Sequence, residues 1–553
     1  MKKIIPLLYI AALSIFSSCS KDFLDRGSQI IFDDTNFWTS ENNVKSYCWE
    51  FYNRFRGFGT GTTGDFYFTT FNDDQAASGM DIFPTAAPAS DNNWEYTYIR
   101  KANLLLIRAP KVPMSTEAVN HYLGVARFFR AHEYANMVRH FGDVPYINEY
   151  LDQGQTEMIY TPRTPRKAVV DSIMSDLLFA AQNIRSVDRS KALGDVNVLS
   201  REAVWAYLSR VALYEGTYSQ YVTKDAVQAE KLLRIAKDAA SNLVANALLP
   251  YKLSPVYKDV YSSLDLSKNN EVILYKSYIS GVMTHSVVGY TNSSTMMAGL
   301  TKDAVDSYLC SDGLPVTLSP LYKGDDNIEN TLANRDLRLA QSVDNTLAYI
   351  GTPNEKGFTS STGYKITKFD NPDLTASEIL APNNPTDAPI FWLAEVYLNY
   401  AEAAAELGEL TQTDLDNTIN LLRIRAGVAT LSLASIPDDP KRDADVPPLL
   451  WEIRRERRCE LMMDGFRSWD IRRWGKLEYL NPLLKPAIFM GAKVPVPQDD
   501  NGPATDVAGY ILPYGTNAKR EVEIPKNYLD PIPTGQQTLY ILKGVEFPQN
   551  PGW

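Results

Sequence analysis

Several long stretches of this chain carry apolar residues at spacings of three and four, and that periodicity constrains the fold more than any other feature. Val169, Val170, Ile173, Met174, Leu177, Leu178, Ala181 and Ile184 form one such stripe. Ala203, Tyr207, Val211 and Tyr214 form a second, with Gly216 and Tyr218 expected to close it. Leu232, Leu233, Ala236, Ala240, Leu243, Val244 and Ala247 form a third. Ile390, Leu393, Ala394, Tyr397, Leu398, Ala401, Ala404 and Ala405 form a fourth, ended by Gly408, and Ile419, Leu422 and Ile424 follow in a fifth. A longer helix is expected around Val119 to Phe141. The second pairs with the third, and the fourth with the fifth, across short Gly-containing turns, and recurrent alanines let the paired helices approach closely. Hairpins of this kind stack in tetratricopeptide-like repeats of about 34 residues. The expected fold is therefore all-α: helical hairpin repeats at about 160–250 and 389–427, on an N-terminal part at about 19–150.

Between the helices the texture changes. Residues 57–94 hold Gly57, Gly59, Gly61 and Gly64, then Phe66-Tyr67-Phe68 and Asn72-Asp73-Asp74. Loop-rich insertions occupy about 251–388, and an irregular C-terminal region studded with Pro and Gly runs from Pro482 to the end. Long irregular segments on a compact frame are usually functional. They are read as a ligand face within a single domain of residues 19–553, not as separate domains.

The first residues are an address. Met1-Lys2-Lys3 precedes an apolar run from Ile4 to Phe16, too short for a bilayer span of about 20 residues. Ser17-Ser18 then leads to Cys19, which looks like a bacterial lipoprotein processing site, with residues 1–18 as the signal peptide. The thiol of Cys19 would carry a diacylglycerol and become the mature N-terminus, and two acyl chains anchor stably where one is marginal. Ser20-Lys21-Asp22 resembles the Lys-acidic signal that sends such lipoproteins to the cell surface. Losing Lys2 and Lys3 takes the formal charge from −11 to −13, and an acidic balance argues against nucleic acid. Cys48, Cys310 and Cys459 are too few and too scattered for a disulfide framework and read as buried thiols.

Residues 447–478 read Pro-Pro-Leu-Leu-Trp-Glu-Ile-Arg-Arg-Glu-Arg-Arg-Cys-Glu-Leu-Met-Met-Asp-Gly-Phe-Arg-Ser-Trp-Asp-Ile-Arg-Arg-Trp-Gly-Lys-Leu-Glu. This resembles the C-terminal signature of the SusD/RagB family of outer-membrane nutrient-binding lipoproteins. Other matching pieces follow in order: Tyr96 to Asn103, Arg127 to Ala131, Phe141 to Pro145, Leu393 to Ala403, Arg423 to Gly427, and the ending Gln549 to Trp553. The resemblance implies a tetratricopeptide-like helical protein that binds oligosaccharides, or in some branches peptides, without cleaving them. It implies delivery to a SusC-like TonB-dependent outer-membrane transporter. In the relatives, ligand contacts come from the loop before the early helix and from loops after the central repeats.

Glycans bind where exposed rings meet amides and carboxylates on loops, because sugar C–H faces pack on aromatic rings and hydroxyls need polar partners. The 32 Tyr, 21 Phe and 9 Trp make such surfaces plausible in composition. Phe66, Tyr67, Asn72, Asp73, Asn92, Asn93 and Trp94 form one mixture, and Tyr290 with Asn292 a second. Trp94 and Tyr98 equally suit a core plug at the start of their helix. A catalytic reading would need a neutral acid beside an ionised carboxylate. Glu452, Glu456 and Glu460 share a helical face, but arginines interleave with them, so ion pairing is expected, with Gly465 ending the helix and Trp469 and Trp474 beneath it. His121, His132, His140 and His285 show no metal spacing, no Gly-x-Ser-x-Gly elbow or phosphate cradle occurs, and no cofactor is implied. Alternatives are a peptide carrier on the same scaffold, a glycoside hydrolase, and a periplasmic repeat scaffold.

Overall fold

The computed structural model describes residues 37–152, 154–245, 248–293, 298–495, 502–516 and 518–553. Residues 1–36, and with them Cys19 and the signal segment, lie outside the described residues. The helices that matter are α1 (Glu41–Cys48), α2 (Thr97–Arg108), α3 (Thr116–Phe141), α4 (Arg166–Asn183), α5 (Arg201–Tyr218), α6 (Ala226–Val244), α7 (Val287–Thr291), α8 (Leu393–Glu406), α9 (Ile419–Arg425), α10 (Pro448–Glu460) and α11 (Arg467–Arg473). Four short strands among the described residues complete the frame: β1 (Gln75–Ala76), β2 (Val272–Lys276), β3 (Gly299–Leu300) and β4 (Ala388–Trp392).

Helix starts follow side-chain capping. Ser115 accepts from the Ala118 amide at the head of α3, Ser200 from Ala203 at α5, and Asp225 from Gln228 at α6. The helices then layer in chain order: α2 on α3, α3 on α4, α4 on α5, α5 on α6, α6 on α8 and α8 on α10. This is the mainly helical, tetratricopeptide-like architecture that the apolar spacing predicts. One apolar core joins these layers, running from Val44 to Phe547. The C-terminal tail returns to it: the Asn550 side chain donates to the carbonyls of Phe141 and Asp530, and Tyr540 stacks on Phe547 at 3.9 Å.

Three expectations about helix ends are corrected. Gly216 lies inside α5, where an added Cβ would stand 3.0 Å from Leu233 of α6, so it serves close packing and not termination. Ile390 belongs to β4, and the fourth stripe is helical only from Leu393. The arginine-rich helix stops at Glu460, and Gly465 sits in the turn before α11 at φ 81°, under the carbonyl of Asp65. Ala247 lies outside the described residues.

Two small antiparallel sheets organise the loops. β2 pairs with β4 (Val272 opposite Trp392, Lys276 opposite Ala388), so the long irregular stretch leaves and re-enters the frame through one neck. β1 pairs with β3 (Gln75 opposite Leu300, Ala76 opposite Gly299), which stitches the loop after α1 to that insertion. Gly299 is needed there, since a Cβ would lie 2.0 Å from the Ser360 hydroxyl and 2.2 Å from that of Thr362.

Candidate functional site

The first predicted loop is turned largely inward. Glycines 57, 59 and 61 adopt positive φ and fold the chain back, so that the Gly59 amide reaches the Tyr278 hydroxyl and the Gly61 amide that of Ser286. Phe66 and Tyr67, expected on the ligand face, are buried. Phe66 packs edge-on against Phe58, and the Tyr67 hydroxyl donates to the Ala298 carbonyl at 3.1 Å. Asn72 is also buried, its side-chain oxygen accepting from the amides of Asp74 and Gln75 at 2.8 and 2.9 Å, a local turn that feeds β1. Asp73 is fully enclosed and clamped by Arg467 at 2.6 and 2.7 Å, with Arg458 at 3.4 Å. Burial alone would raise its carboxyl, but Arg467 and Arg458 outweigh burial and hold it below the usual carboxylate range. These four residues are thus core and ion-pair groups, because each finds a stronger partner inside than water offers outside. The surplus of arginine around residues 454–473 was the sequence signal that Asp73 and Asp74 had protein partners.

Trp94 plugs the core in the way its alternative reading foresaw, packed edge-on against Phe141 at 5.0 Å and Phe547 at 6.0 Å. Asn93 stays partly open and borders a cavity described below.

The second predicted group stays partly exposed. Tyr290, at the end of α7, is half-buried, and Phe68 meets it edge-to-face at 5.2 Å. Tyr67 takes a positive φ of 62°, and the turn there lets Phe68 lie on this side while Phe66 is buried in the core. The Asn292 side chain donates to Asp370 at 2.6 Å and to the Val288 carbonyl at 3.0 Å, which closes α7. The Thr359 amide donates to the Ser293 carbonyl at 3.1 Å, which brings half-exposed Phe358 beside the same segment. Lys365 lies over the Phe358 ring at 5.7 Å. Two segments more than 200 residues apart therefore meet in one shelf: the Phe68–Tyr290 ring pair, with the Asn292–Asp370 amide–carboxylate pair close by in sequence to Tyr290 and Phe358 tied to the same segment through Ser293. Phe68, Phe358 and Asp370 escaped sequence reasoning, which had marked the first loop through Phe66, Tyr67, Asn72 and Asp73 instead.

The Arg/Glu row forms a buried network. Arg423 bonds Glu452 and Glu456 at 3.0 and 3.2 Å, Arg338 bonds Glu456 and Glu460 at 2.7 Å, and Arg425 also bonds Glu460. Burial favours the protonated form of Glu460, yet Arg425 and Arg338 outweigh it and hold the carboxyl low. A general acid needs the opposite displacement. The histidines have partners as well: the ring nitrogens of His132 and His140 contact Glu133 and Asp530, and His285 contacts the Thr386 carbonyl at 2.9 Å. The three thiols are buried and free, and burial pushes that of Cys459 up to about 12.

A cavity of about 350 Å³ opens between α3, α5, β4, α11 and the segment from Gly64 to Thr69. Asp65, Phe66, Arg139, His140 and Trp469 are among the residues that line it. Arg139 stacks over the Trp469 ring at 3.9 Å and His140 meets it edge-on at 4.8 Å.

Comparison with known proteins agrees with this architecture. Residues 270–553 match the profile of the SusD family, and residues 31–213 match a profile described as starch-binding associating with outer membrane. SusD-like protein P38 of Formosa agariphila is 22% identical over 496 residues, which span 87% of this chain and 93% of that protein. A SusD-like carbohydrate-binding protein from Bacteroides fragilis superposes with a TM-score of 0.69 at 21% identity, covering 91% of this chain and 99% of the other. A laminarin-binding SusD-like protein superposes with a TM-score of 0.59 at 20% identity, covering 93% and 100%.

Proposed function

This chain belongs to the SusD family, and from that premise we propose that it is a non-catalytic glycan-binding protein of the outer membrane. The observation that carries the reading is the shelf made by the half-exposed Phe68–Tyr290 ring pair and the Asn292–Asp370 pair beside it. Ring edges and faces at the surface accept sugar C–H patches, and the amide–carboxylate pair exchanges its own hydrogen bond for sugar hydroxyls. The relatives described as binding laminarin and other carbohydrate share the fold. A shallow, preformed shelf suits weak capture and quick release of long polymers.

The non-catalytic part of the reading is supported by the Arg/Glu network, whose carboxylates are engaged by guanidinium groups. Residues 19–553 act as one domain, anchored through lipid on Cys19 and displayed at the cell surface, and the bound glycan passes to a SusC-like TonB-dependent transporter. Affinity-gel electrophoresis of the mature chain against a panel of polysaccharides tests the binding, with reducing-end detection run on the same mixtures. Retardation by at least one glycan without new reducing ends is the expected result. Absence of retardation across the panel, or appearance of product, refutes it.

A further inference from the structure

The cavity behind the Asp65–Thr69 segment holds charges that its own walls do not neutralise. Most of its cations have partners: Arg210 chelates Glu395 at 2.6 Å through two nitrogens and Arg54 bonds Glu133 at 2.8 Å, while burial disfavours a proton on His140, whose ring contacts Asp530 at 2.5 Å. Arg139 does not. Its only side-chain hydrogen bond among the described residues goes to the Asn136 amide oxygen at 3.1 Å, and its Nε has no acceptor. Arg56 on the rim likewise has no ion pair among the described residues, and the one carboxylate left unpaired is that of Asp65. Two unpaired guanidinium groups against one carboxylate leave one positive charge in excess.

The walls also present donors with nothing to donate to. Trp392 is 1% exposed, lines the cavity, and has an indole N–H without a partner among the described residues; the Tyr214 hydroxyl is buried in the same condition. Buried donors without acceptors are rare in native proteins and mark a place where a ligand or water completes the set. Enclosure lowers the Arg139 guanidinium's hold on its proton, so an anion placed beside it is favoured. At about 350 Å³ the space is at the small end of ligand pockets, room for one or two sugar units and no polymer.

We propose that this cavity, between Arg139, Arg56, Tyr214 and the Trp392 indole, receives the single negative charge of an acidic sugar unit, a uronate carboxylate or a sulfate ester. The inference rests on the glycan-binding reading and narrows its ligand. The cavity is separate from the shelf: Asp65, Phe66 and Thr69 border the cavity, and Phe68 borders the shelf on the same short segment.

Titration calorimetry on the mature chain tests it with three probes: an oligoglucuronate, its carboxyl-reduced neutral counterpart, and a sulfated oligosaccharide with a neutral backbone. One of the two acidic probes is expected to bind at least about tenfold more tightly than the neutral one, the effect of one or two charge-assisted hydrogen bonds. Which acidic probe is preferred identifies the acid. Arg139→Gln removes that preference and Arg139→Lys restores part of it, whereas Tyr290→Ala weakens acidic and neutral probes alike. Equal binding of acidic and neutral probes by the unmodified chain overturns the inference and leaves the glycan reading intact, as does an Arg139→Gln variant that folds and keeps the full preference. Binding of none of the probes, together with no retardation by any polysaccharide, overturns both.

Discussion

Glu402 on α8 is the most informative single residue to perturb. It is wholly buried and accepts from Arg473 at 2.6 and 2.7 Å and from the Trp474 indole at 2.7 Å, so it joins α8 to the end of α11. Burial alone would raise its carboxyl, but Arg473 outweighs burial and brings it from an ordinary 4.5 down to about 2. By linkage that displacement corresponds to about 3 kcal/mol of folding free energy, which is the size found when one partner of a buried ion pair is removed. Because the folded-state value is depressed, the contribution is complete above about 4.5 and disappears as pH falls towards 2. Glu402→Gln keeps the shape and removes the charge. With an unfolding entropy of about 2 cal/mol/K per residue, 553 residues unfolding as one unit lose about 3 °C in Tm for that change. Differential scanning calorimetry of both proteins at pH 7, 5 and 3.5 measures it. The gap should be full at pH 7 and pH 5 and should narrow at pH 3.5. Identical melting at pH 7, or a gap that stays constant down to pH 3.5, would show that the guanidinium does not hold Glu402 as argued.

Other consequences can be checked with the same protein. Arg467→Ala leaves buried Asp73, 394 residues away in sequence, with only the longer Arg458 contact at 3.4 Å and should cost up to about 3 kcal/mol, read as a lower Tm. Tyr290→Ala with Asn292→Ala should abolish retardation in a glycan gel while lowering stability by about 2–3 kcal/mol, the worth of one edge-to-face ring contact and the Asn292 hydrogen bonds; unchanged retardation removes both from the site. Gly299→Ala should force Ser360 and Thr362 away and loosen the β1–β3 stitch at a cost of about 1–3 kcal/mol, seen as faster proteolysis of the insertion. Burial drives His121 and His285 down to about 3, so the folded state refuses a proton that the unfolded chain accepts near 6.5. Stability from these groups is whole above about 6.5 and declines below it, and replacing His285 by Gln should flatten that part of the Tm–pH curve.

What could be read from the residues alone was whatever is local. A stripe repeating every three to four residues declares its own helix, which is why α3 to α6 and α8 stand where the apolar spacing put them. The alternation of Arg and Glu along α10 likewise announces mutual neutralisation, since like charges at that density could not be buried unpaired. Surface loops carry no such repeat. Phe66-Tyr67-Phe68 reads as three equivalent rings, yet only the fold determines that the first two turn inward and the third meets Tyr290. Asn72 and Asp73 look like sugar ligands until Arg467 arrives from the far end of the chain. The cavity is invisible in sequence altogether, because Asp65, Arg139, Tyr214 and Trp392 come from four separate elements. Helices follow from short-range periodicity. The ligand face follows from which partners long-range packing brings within hydrogen-bonding distance, and from which groups it leaves without one.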